Sequence, residues 1–423
     1  MLKEAIKSIK DDFSRSLFYW LTFVLTSMFM FLFFNISYLD LVGVTFIDSQ
    51  SHDMATLTSV LVIAVCMIVI FFANNFYVRK KSKELAVRMV CGATYMQIAQ
   101  YLLYQTGIIF LLSIPIGIIL ALIFIPVINY ILFFFLNSNV QLYIQTKAII
   151  STTIIISFEI FWCTILNLGY SYRNSIRSLM IDDEANQKMT FHLPYHISHK
   201  VKKWMSIIMF IAPVVIFYLN GDQSGSMLYF SVIGMIGLYM GIDSVLVPLF
   251  DYWIQEKYAD CPERVIYLGL LRNDFKMMKS NIILLITSAI LLVSILIASI
   301  QKPVEVMLAL LSFVVMNILL SLAVMFKFST EIVSRKKVFA SIERMGYMQK
   351  DQKNIILKEV IGLYGLIWFL SLFYIGNIFV VLMIHHLLHI YLIMGMLIAF
   401  LLPLIICGIM SYVYYYKVIF KEG

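Results

Sequence analysis

Charged residues are scarce in this sequence of 423 residues, where Asp, Glu, Lys and Arg together make up 13%. Soluble proteins carry roughly a quarter charged residues, whereas here 61% of the residues are hydrophobic. This composition excludes a soluble fold. The apolar residues also form continuous runs of about 18 to 25 residues, not the short alternating segments of a membrane β-barrel. The sequence therefore predicts an all-α integral membrane protein.

Sequence signals of phosphate binding and hydrolysis are also missing. No Gly-x-x-x-x-Gly-Lys-Ser/Thr loop occurs, so we expect the chain not to bind ATP by that route. Neither His-Glu-x-x-His nor Gly-x-Ser-x-Gly is present. The five cysteines include no Cys-x-x-Cys pair, and we expect reduced structural thiols. No small-x-small cleavage site follows the first apolar run, so we predict that the first helix is retained. We therefore predict that the chain itself is no enzyme and binds no cofactor or metal.

Ten apolar runs are long enough to cross a bilayer. With the N-terminus inside, only Lys147 and Lys302 of the 32 Lys and Arg residues fall on the outer side. Because Lys and Arg accumulate on the cytoplasmic side, we predict a multi-pass protein of the cell membrane with both termini in the cytoplasm. The net charge of +8 follows from this topology, and we expect no nucleic-acid binding. The predicted spans are 17–38, 54–77, 104–132, 148–168, 205–219, 227–250, 282–300, 304–326, 360–384 and 390–415.

The chain contains an internal repeat, at an offset of about 256 to 262 residues, around two basic segments. Each segment is predicted to be a short amphipathic helix that ends in glycine and leads into the next span. The basic residues could merely anchor helix ends at anionic headgroups. Anchoring does not explain the further amphipathic turn in both copies, which favours docking of a cytoplasmic partner. The predicted docking residues are Arg79, Lys80, Lys81, Glu84, Arg88 and Gly92 in the first segment and Arg335, Lys336, Lys337, Glu343, Arg344 and Gly346 in the second.

The repeat predicts a division into four, two and four spans. We place a first four-helix unit at 1–170, a cytoplasmic linker at 171–204, a central two-helix hairpin at 205–250 and a second four-helix unit at 251–423. For the charged stretch between the first unit and the hairpin, a solvated linker is favoured, and contact with a cytoplasmic partner stays open. The outer segments are all short, which leaves no extracellular domain to bind a large ligand.

Two carboxyl groups, of Glu159 and Asp243, fall inside predicted spans, where an ionised group is costly unless it is paired or hydrated. Neither has an obvious Lys or Arg partner within the membrane. Each could form a substrate or proton site, or could be a protonated or water-bridged carboxyl bonded to nearby Ser, Thr or Asn. Both interpretations stay open for Glu159, which lies near Ser157 and Thr164. The second is favoured for Asp243, toward the inner end of its span.

A histidine cluster lies at the outer end of the ninth span. His385, His386 and His389 form it, and the first and last share one helix face. A zinc site usually has three or four ligands, and no outer carboxylate is adjacent in sequence. Interfacial polar residues are therefore favoured over a metal site.

The first basic segment carries a family resemblance. Residues 83–93, Lys-Glu-Leu-Ala-Val-Arg-Met-Val-Cys-Gly-Ala, resemble the cytoplasmic segment of the FtsX-like, or MacB-type, ABC transporter permeases. Residues 328–359 resemble the C-terminal segment of the ten-helix bacitracin-resistance-type, or BceB-like, permeases, and this likeness is the closest. It covers nearly the whole chain. Those permeases carry a large extracellular domain between the seventh and eighth spans, where this chain has only residues 301–303.

The resemblance implies the permease subunit of an ATP-driven transporter, moved by cytoplasmic ABC ATPase subunits. It implies two ATPase copies per permease, with ATP and Mg bound by the ATPase. The implied substrate is an antimicrobial or other amphipathic peptide, or a lipid-like molecule, which is exported or cleared from the bilayer by mechanotransmission.

Two alternatives remain open. One is a sensing or scaffold protein that signals to a histidine kinase or a cell-wall enzyme without transport. The other is an ion-coupled secondary transporter, suggested only by Glu159 and Asp243. Both repeats begin on the same side of the membrane, which counts against the inverted-topology halves expected of many such transporters.

Overall fold

The structure, a computed structural model, describes residues 13–38, 49–136, 143–173, 199–219, 224–298, 303–385 and 388–420. Every regular element in these ranges is a helix. The α-helices are α1 Phe13–Ser37, α2 Ser49–Lys80, α3 Ser82–Val90, α4 Tyr95–Leu136, α5 Thr146–Arg173, α6 His199–Leu219, α7 Ser224–Gly241, α8 Val247–Tyr252, α9 Pro262–Ala298, α10 Pro303–Ser334, α11 Lys336–Arg344, α12 Gln349–Ile384 and α13 Ile390–Phe420.

Within the described ranges, ten helical segments are long and apolar enough to cross a membrane. Nine belong to single helices, and the tenth runs from α7 through α8 by way of the π-helical turns Ile242–Leu246 and Trp253–Lys257. The prediction of an all-α, multi-pass membrane protein with ten transmembrane helices is confirmed. Helices α4 and α12 each begin well before the apolar run that they contain, so the predicted continuity of the basic segments with the following spans is also confirmed.

The chain divides into two compact units, residues 1–189 with 302–312 and residues 190–301 with 313–423. In the first unit α1 is the central helix, because 78% of its spanning residues are buried, against 22% for α5. In lipid the hydrophobic effect does not drive helices together, so close van der Waals packing must stabilise their association. Gly117 of α4 allows this approach, since a Cβ there would lie 1.8 Å from Oγ of Ser27 on α1.

In the second unit α9 packs against α7 and α12, and α12 packs against α13. Helices α6 and α7 lie side by side at a glycine contact, where a Cβ on Gly237 would come within 2.6 Å of the Phe210 backbone nitrogen. Two ion pairs tie the α7–α8 segment to α9, and one of them joins Asp251 to Arg272 at 2.8 Å. The predicted division into four regions stays a prediction.

Candidate coupling site at two lever helices

The two basic segments have the same backbone geometry. Helices α3 and α11 are both nine residues long. Each is followed, two residues after its end, by a glycine with positive φ: Gly92 at +92° after α3 and Gly346 at +94° after α11. Residues with a Cβ avoid this left-handed region, so glycine is the residue that permits the helix to end and the chain to turn there. We name residues 81–92 lever 1 and residues 335–346 lever 2.

The structure sets the register of the two levers. Because α3 begins directly after Lys81 and α11 directly after Arg335, these two residues are structurally equivalent. Gly92 and Gly346 lie equally far along the chain from them. The backbone equivalence is therefore set by where each short helix starts and where its glycine stands.

Both levers are amphipathic helices. In lever 1, Leu85 and Ala86 are buried while Val87 and Val90 are exposed. In lever 2, Phe339 and Ile342 are buried. Five of the predicted docking residues are exposed, namely Gly92, Lys336, Glu343, Arg344 and Gly346. Of Arg79, Lys80 and Lys337 the structure describes only the helical backbone.

Lever 1 is held by a cluster around Glu84. The carboxylate accepts a hydrogen bond from the Lys81 ammonium at 3.1 Å and one from the Tyr101 hydroxyl at 2.5 Å. Nη2 of Arg88 donates to the same carboxylate at 3.4 Å, and the guanidinium lies 3.9 Å from the Tyr101 ring centroid. Burial raises the pKa of Glu84, but the hydrogen bond from Tyr101 and the charges of Lys81 and Arg88 outweigh it, so the net pKa is lowered. Lever 1 is therefore fastened to α4 by an ionised carboxylate.

This cluster continues into the first unit through hydrogen bonds. The Tyr101 hydroxyl accepts a hydrogen bond from Gln105 Nε2 at 2.8 Å. In turn, Gln105 Oε1 accepts one from the Tyr77 hydroxyl at 3.2 Å. Beside these contacts, a cavity of about 270 Å³ opens where lever 1 turns into α4. Its lining residues are Arg88, Cys91, Gly92, Ala93, Gln97, Ile98 and Tyr101.

Lever 2 is held by a buried ion network. The guanidinium of Arg335 donates through Nη2 to Asp274 of α9 and through Nη1 to Glu359 of α12. The Tyr415 hydroxyl of α13 donates to Glu359 Oε2 at 3.1 Å. Relative exposure is 4% for Arg335, 1% for Asp274 and 0% for Glu359. Burial lowers the pKa of Arg335, but the charge of Asp274 and contact with Tyr415 outweigh it, so its net pKa is raised.

The two residues at the start of the levers lie inside the protein and not on its surface. Lys81 is 5% exposed and Arg335 is 4% exposed, so neither presents its charge to a partner. Their predicted coupling role stays a prediction, and in this geometry Lys81 bonds to Glu84 and Arg335 bonds to Glu359 within the protein. Sequence reasoning missed Asp274, Glu359 and Tyr415 as parts of the site. The available signal was that Asp274 and Glu359 lie at span ends in a chain with few charges, where a buried acid needs a partner.

The structure places the two intramembrane carboxyl groups in different surroundings. Asp243 Oδ2 lies 2.5 Å from the Lys279 ammonium, which also lies 4.3 Å from the Tyr239 ring centroid. The expectation that Asp243 lacks a basic partner is therefore wrong. The reason is that α9 begins at Pro262, well before the predicted seventh span, and carries Lys279 alongside α7.

Glu159 has no such partner among the residues that the structure describes. It is 1% exposed, and neither carboxyl oxygen has a hydrogen-bond partner there. The hydroxyls of Ser157 and Thr164 donate to the backbone carbonyls of Thr153 and Ile160, at 2.7 and 2.9 Å. The two residues expected to satisfy the Glu159 carboxyl therefore bond elsewhere.

Of the histidine cluster, His385 and His389 are described, and His386 lies outside the described residues. Where the structure describes side chains, no three His, Cys, Asp or Glu residues come together as metal ligands.

Comparison with known proteins identifies one domain. Residues 56–178 match the family model described as FtsX-like permease C-terminal. The match begins within α2, contains lever 1 and α4, and ends after α5. It covers less than a third of the chain. FtsX-like permeases are membrane components that partner with cytoplasmic ABC ATPases, so the match supports a permease subunit of an ABC transporter of the FtsX/MacB type. No curated protein matches the chain significantly.

Proposed function

We propose that this chain is the permease subunit of an ATP-driven ABC transporter of the MacB/FtsX type, which exports or clears an antimicrobial or other amphipathic peptide by mechanotransmission. The observation that carries the proposal is the pair of levers. Each contains a nine-residue amphipathic helix. A buried cation precedes the helix, and a glycine with positive φ follows it. The FtsX-like domain over residues 56–178 contains the first of them.

In this proposal one ATPase copy docks at each lever, and ATP and Mg are bound by the ATPase. The exposed residues available for docking include both apolar and charged side chains. Examples are Val87 and Val90 in lever 1 and Arg344 and Met345 in lever 2. A push on lever 1 reaches α4 through Glu84 and Tyr101. A push on lever 2 reaches α9, α12 and α13 through Arg335. The buried ends of the levers thus transmit force, and the exposed ends receive it.

Charge reversal at the exposed end of lever 2 tests this docking. We expect Arg344→Glu to remove the ATPase copy docked at lever 2 from the purified complex, while the copy at lever 1 stays, and to reduce vanadate-sensitive ATP hydrolysis by the complex. A matched control is Lys147→Glu, an exposed residue at the start of α5 on the predicted outer side, which should leave both unchanged. An intact complex with full activity in Arg344→Glu would refute the docking assignment.

Transport is tested separately from docking. The alternative function is sensing or scaffolding, with a signal passed to a histidine kinase or a cell-wall enzyme. Reconstitution of permease and ATPase in liposomes with a labelled amphipathic peptide should give ATP-dependent loss of peptide from the membrane. ATP hydrolysis without any peptide movement would favour the signalling function.

A further inference from the structure

Glu159 stands out among the acidic residues that the structure describes within the membrane. Each of the others discussed above has a basic partner: Asp243 has Lys279, while Asp274 and Glu359 share Arg335. Neither Glu159 oxygen has a hydrogen-bond partner, and the residue is 1% exposed. An isolated carboxylate in a low-dielectric interior is strongly disfavoured, and the group becomes neutral instead. The geometry therefore favours a protonated Glu159 in this conformation.

The titratable groups around Glu159 supply no positive charge. Cys66 on α2 and Cys163 on α5 are buried thiols close enough to interact electrostatically with it. Tyr19 of α1 lies beside Cys163, and α4 contributes no titratable group that acts on the carboxyl among the described residues. Among the described residues, the titratable groups that interact with Glu159 are thus two thiols and no cation.

A polar stripe leads along α5 from Glu159 toward the end of the first unit that carries lever 1. Its members are one helical turn apart, so they lie on one buried face. At a rise of about 1.5 Å per residue, the stripe is about 18 Å long. Its members are Glu159, Cys163, Asn167 and Ser171, each at most 3% exposed.

Neighbouring helices add to this stripe. Nδ2 of Asn74 on α2 donates to Oδ1 of Asn167 at 2.8 Å, and the Tyr19 hydroxyl donates to Oδ1 of Asn74 at 2.9 Å. The Tyr19 ring stacks on that of Tyr77 at 4.4 Å, and Tyr77 bonds to Gln105 of the lever 1 cluster. On the other side of α5, Phe158 and Phe161 are exposed apolar residues. The buried polar groups near Glu159 therefore lie on the side of α5 that faces α2 and lever 1, and not on its lipid face.

We propose that Glu159 is a proton-binding site within the membrane, a neutral carboxylic acid that exchanges its proton along the α5 polar stripe from the side of the membrane where lever 1 lies. In the exchange the carboxyl O–H bond breaks and the proton passes to water or to a polar group of the stripe. The buried carboxylate that remains is stable only if the surroundings rearrange to solvate it. Proton loss and movement of the first unit are thereby linked. This proposal does not depend on the identity of any transported substrate.

Carbodiimide modification tests the proposal, because the reaction requires a protonated acid. The carboxyl proton moves to a carbodiimide nitrogen, the carboxylate oxygen bonds to the central carbon, and the O-acylisourea rearranges to a stable N-acylurea. The full chain in native membranes is treated with dicyclohexylcarbodiimide and mapped by peptide mass spectrometry. We expect an adduct at Glu159, none at Asp243, and a yield that falls as the pH rises. A water-soluble carbodiimide should give no adduct at Glu159.

Two variants make the result specific. Glu159→Gln, a neutral isostere, should lose the adduct completely, whereas Asp243→Asn should keep it. If Glu159→Gln fails to give a monodisperse protein, the adduct position in the wild-type peptide map decides alone. An unmodified Glu159 in folded wild-type protein, or equal modification by the water-soluble reagent, overturns the proposal.

The route of exchange is tested in sealed vesicles with different pH on the two sides. The adduct yield should follow the pH on the side that exposes lever 1, which is identified by labelling the exposed Cys91 with an impermeant maleimide. A yield that follows the opposite side overturns exchange along the stripe.

Discussion

Lever 1 and lever 2 share a backbone but differ in how they are fastened. The carboxylate of lever 1, Glu84, is 32% exposed, and its partner Arg88 is 27% exposed. In lever 2 the ion pairs join side chains that are at most 5% exposed. A partly exposed pair such as Arg88–Glu84 contributes at most about 1 kcal/mol, whereas removal of one partner from a buried pair costs about 3–5 kcal/mol. Lever 1 therefore contacts α4 through partly exposed groups, while the buried ion network of lever 2 joins α9, α12 and α13.

The largest expected effect comes from breaking the anchor of lever 2. Arg335→Ala should lower the free energy of unfolding by about 3–5 kcal/mol, because two buried carboxylates lose their cation. The measurement is denaturant-induced unfolding of the purified protein in detergent. Arg344→Ala, on the exposed end of the same lever, is the control and should change stability by no more than about 0.5 kcal/mol. Equal small effects in both variants would show that the buried network does not fasten lever 2.

An intermediate effect is expected at the two glycines that end the levers, and it should be the same in both. Gly92→Ala and Gly346→Ala each place a Cβ in the left-handed region, which costs about 1–2 kcal/mol. Gly365→Ala is the matched control, because that glycine has open space around it inside α12 and no positive φ. The measurement is again the free energy of unfolding. Clearly unequal losses at positions 92 and 346 would contradict the structural equivalence of the levers.

The smallest expected effect is on the acid stability of lever 1. Because the folded-state pKa of Glu84 is lowered, the unfolded state binds more protons between the folded value and the unfolded value of about 4.3. The stabilisation is therefore complete above the unfolded pKa and is lost as the pH falls through the folded pKa.

Tyr101→Phe tests this, since it removes one hydrogen bond to the carboxylate. We expect a loss of about 1 kcal/mol at neutral pH and a weaker dependence of stability on pH below about 5. Tyr104→Phe, one turn away and 37% exposed, is the control and should leave the acid dependence unchanged. The measurement is unfolding free energy as a function of pH, and an unchanged profile in Tyr101→Phe would remove Tyr101 from the lever 1 cluster.

Features that depend on local patterns were predictable from the sequence. The ten spans follow from the length of the apolar runs, and the ends of the levers follow from Gly92 and Gly346. The partners of Asp243 and Arg335 were not predictable, because they depend on which helices lie side by side. Hydropathy marks the apolar part of α9 and hides the polar turns before it, which bring Asp274 and Lys279 to their partners. The sequence predicts Glu159 as a lone carboxyl. Whether Ser157 and Thr164 bond to it depends on side-chain geometry that the sequence does not give.

The Arg335 network also bears on how the chain is assembled. Its members appear in the order Asp274, Arg335, Glu359 and Tyr415 during synthesis, and they come from different helices. Asp274 therefore meets its cation only after Arg335 has been made, and Glu359 receives its second hydrogen bond only when α13 has entered the bilayer. The Arg335 network can become complete only after α13 has been made, so a chain truncated before α13 carries an incompletely bonded acid at the base of lever 2.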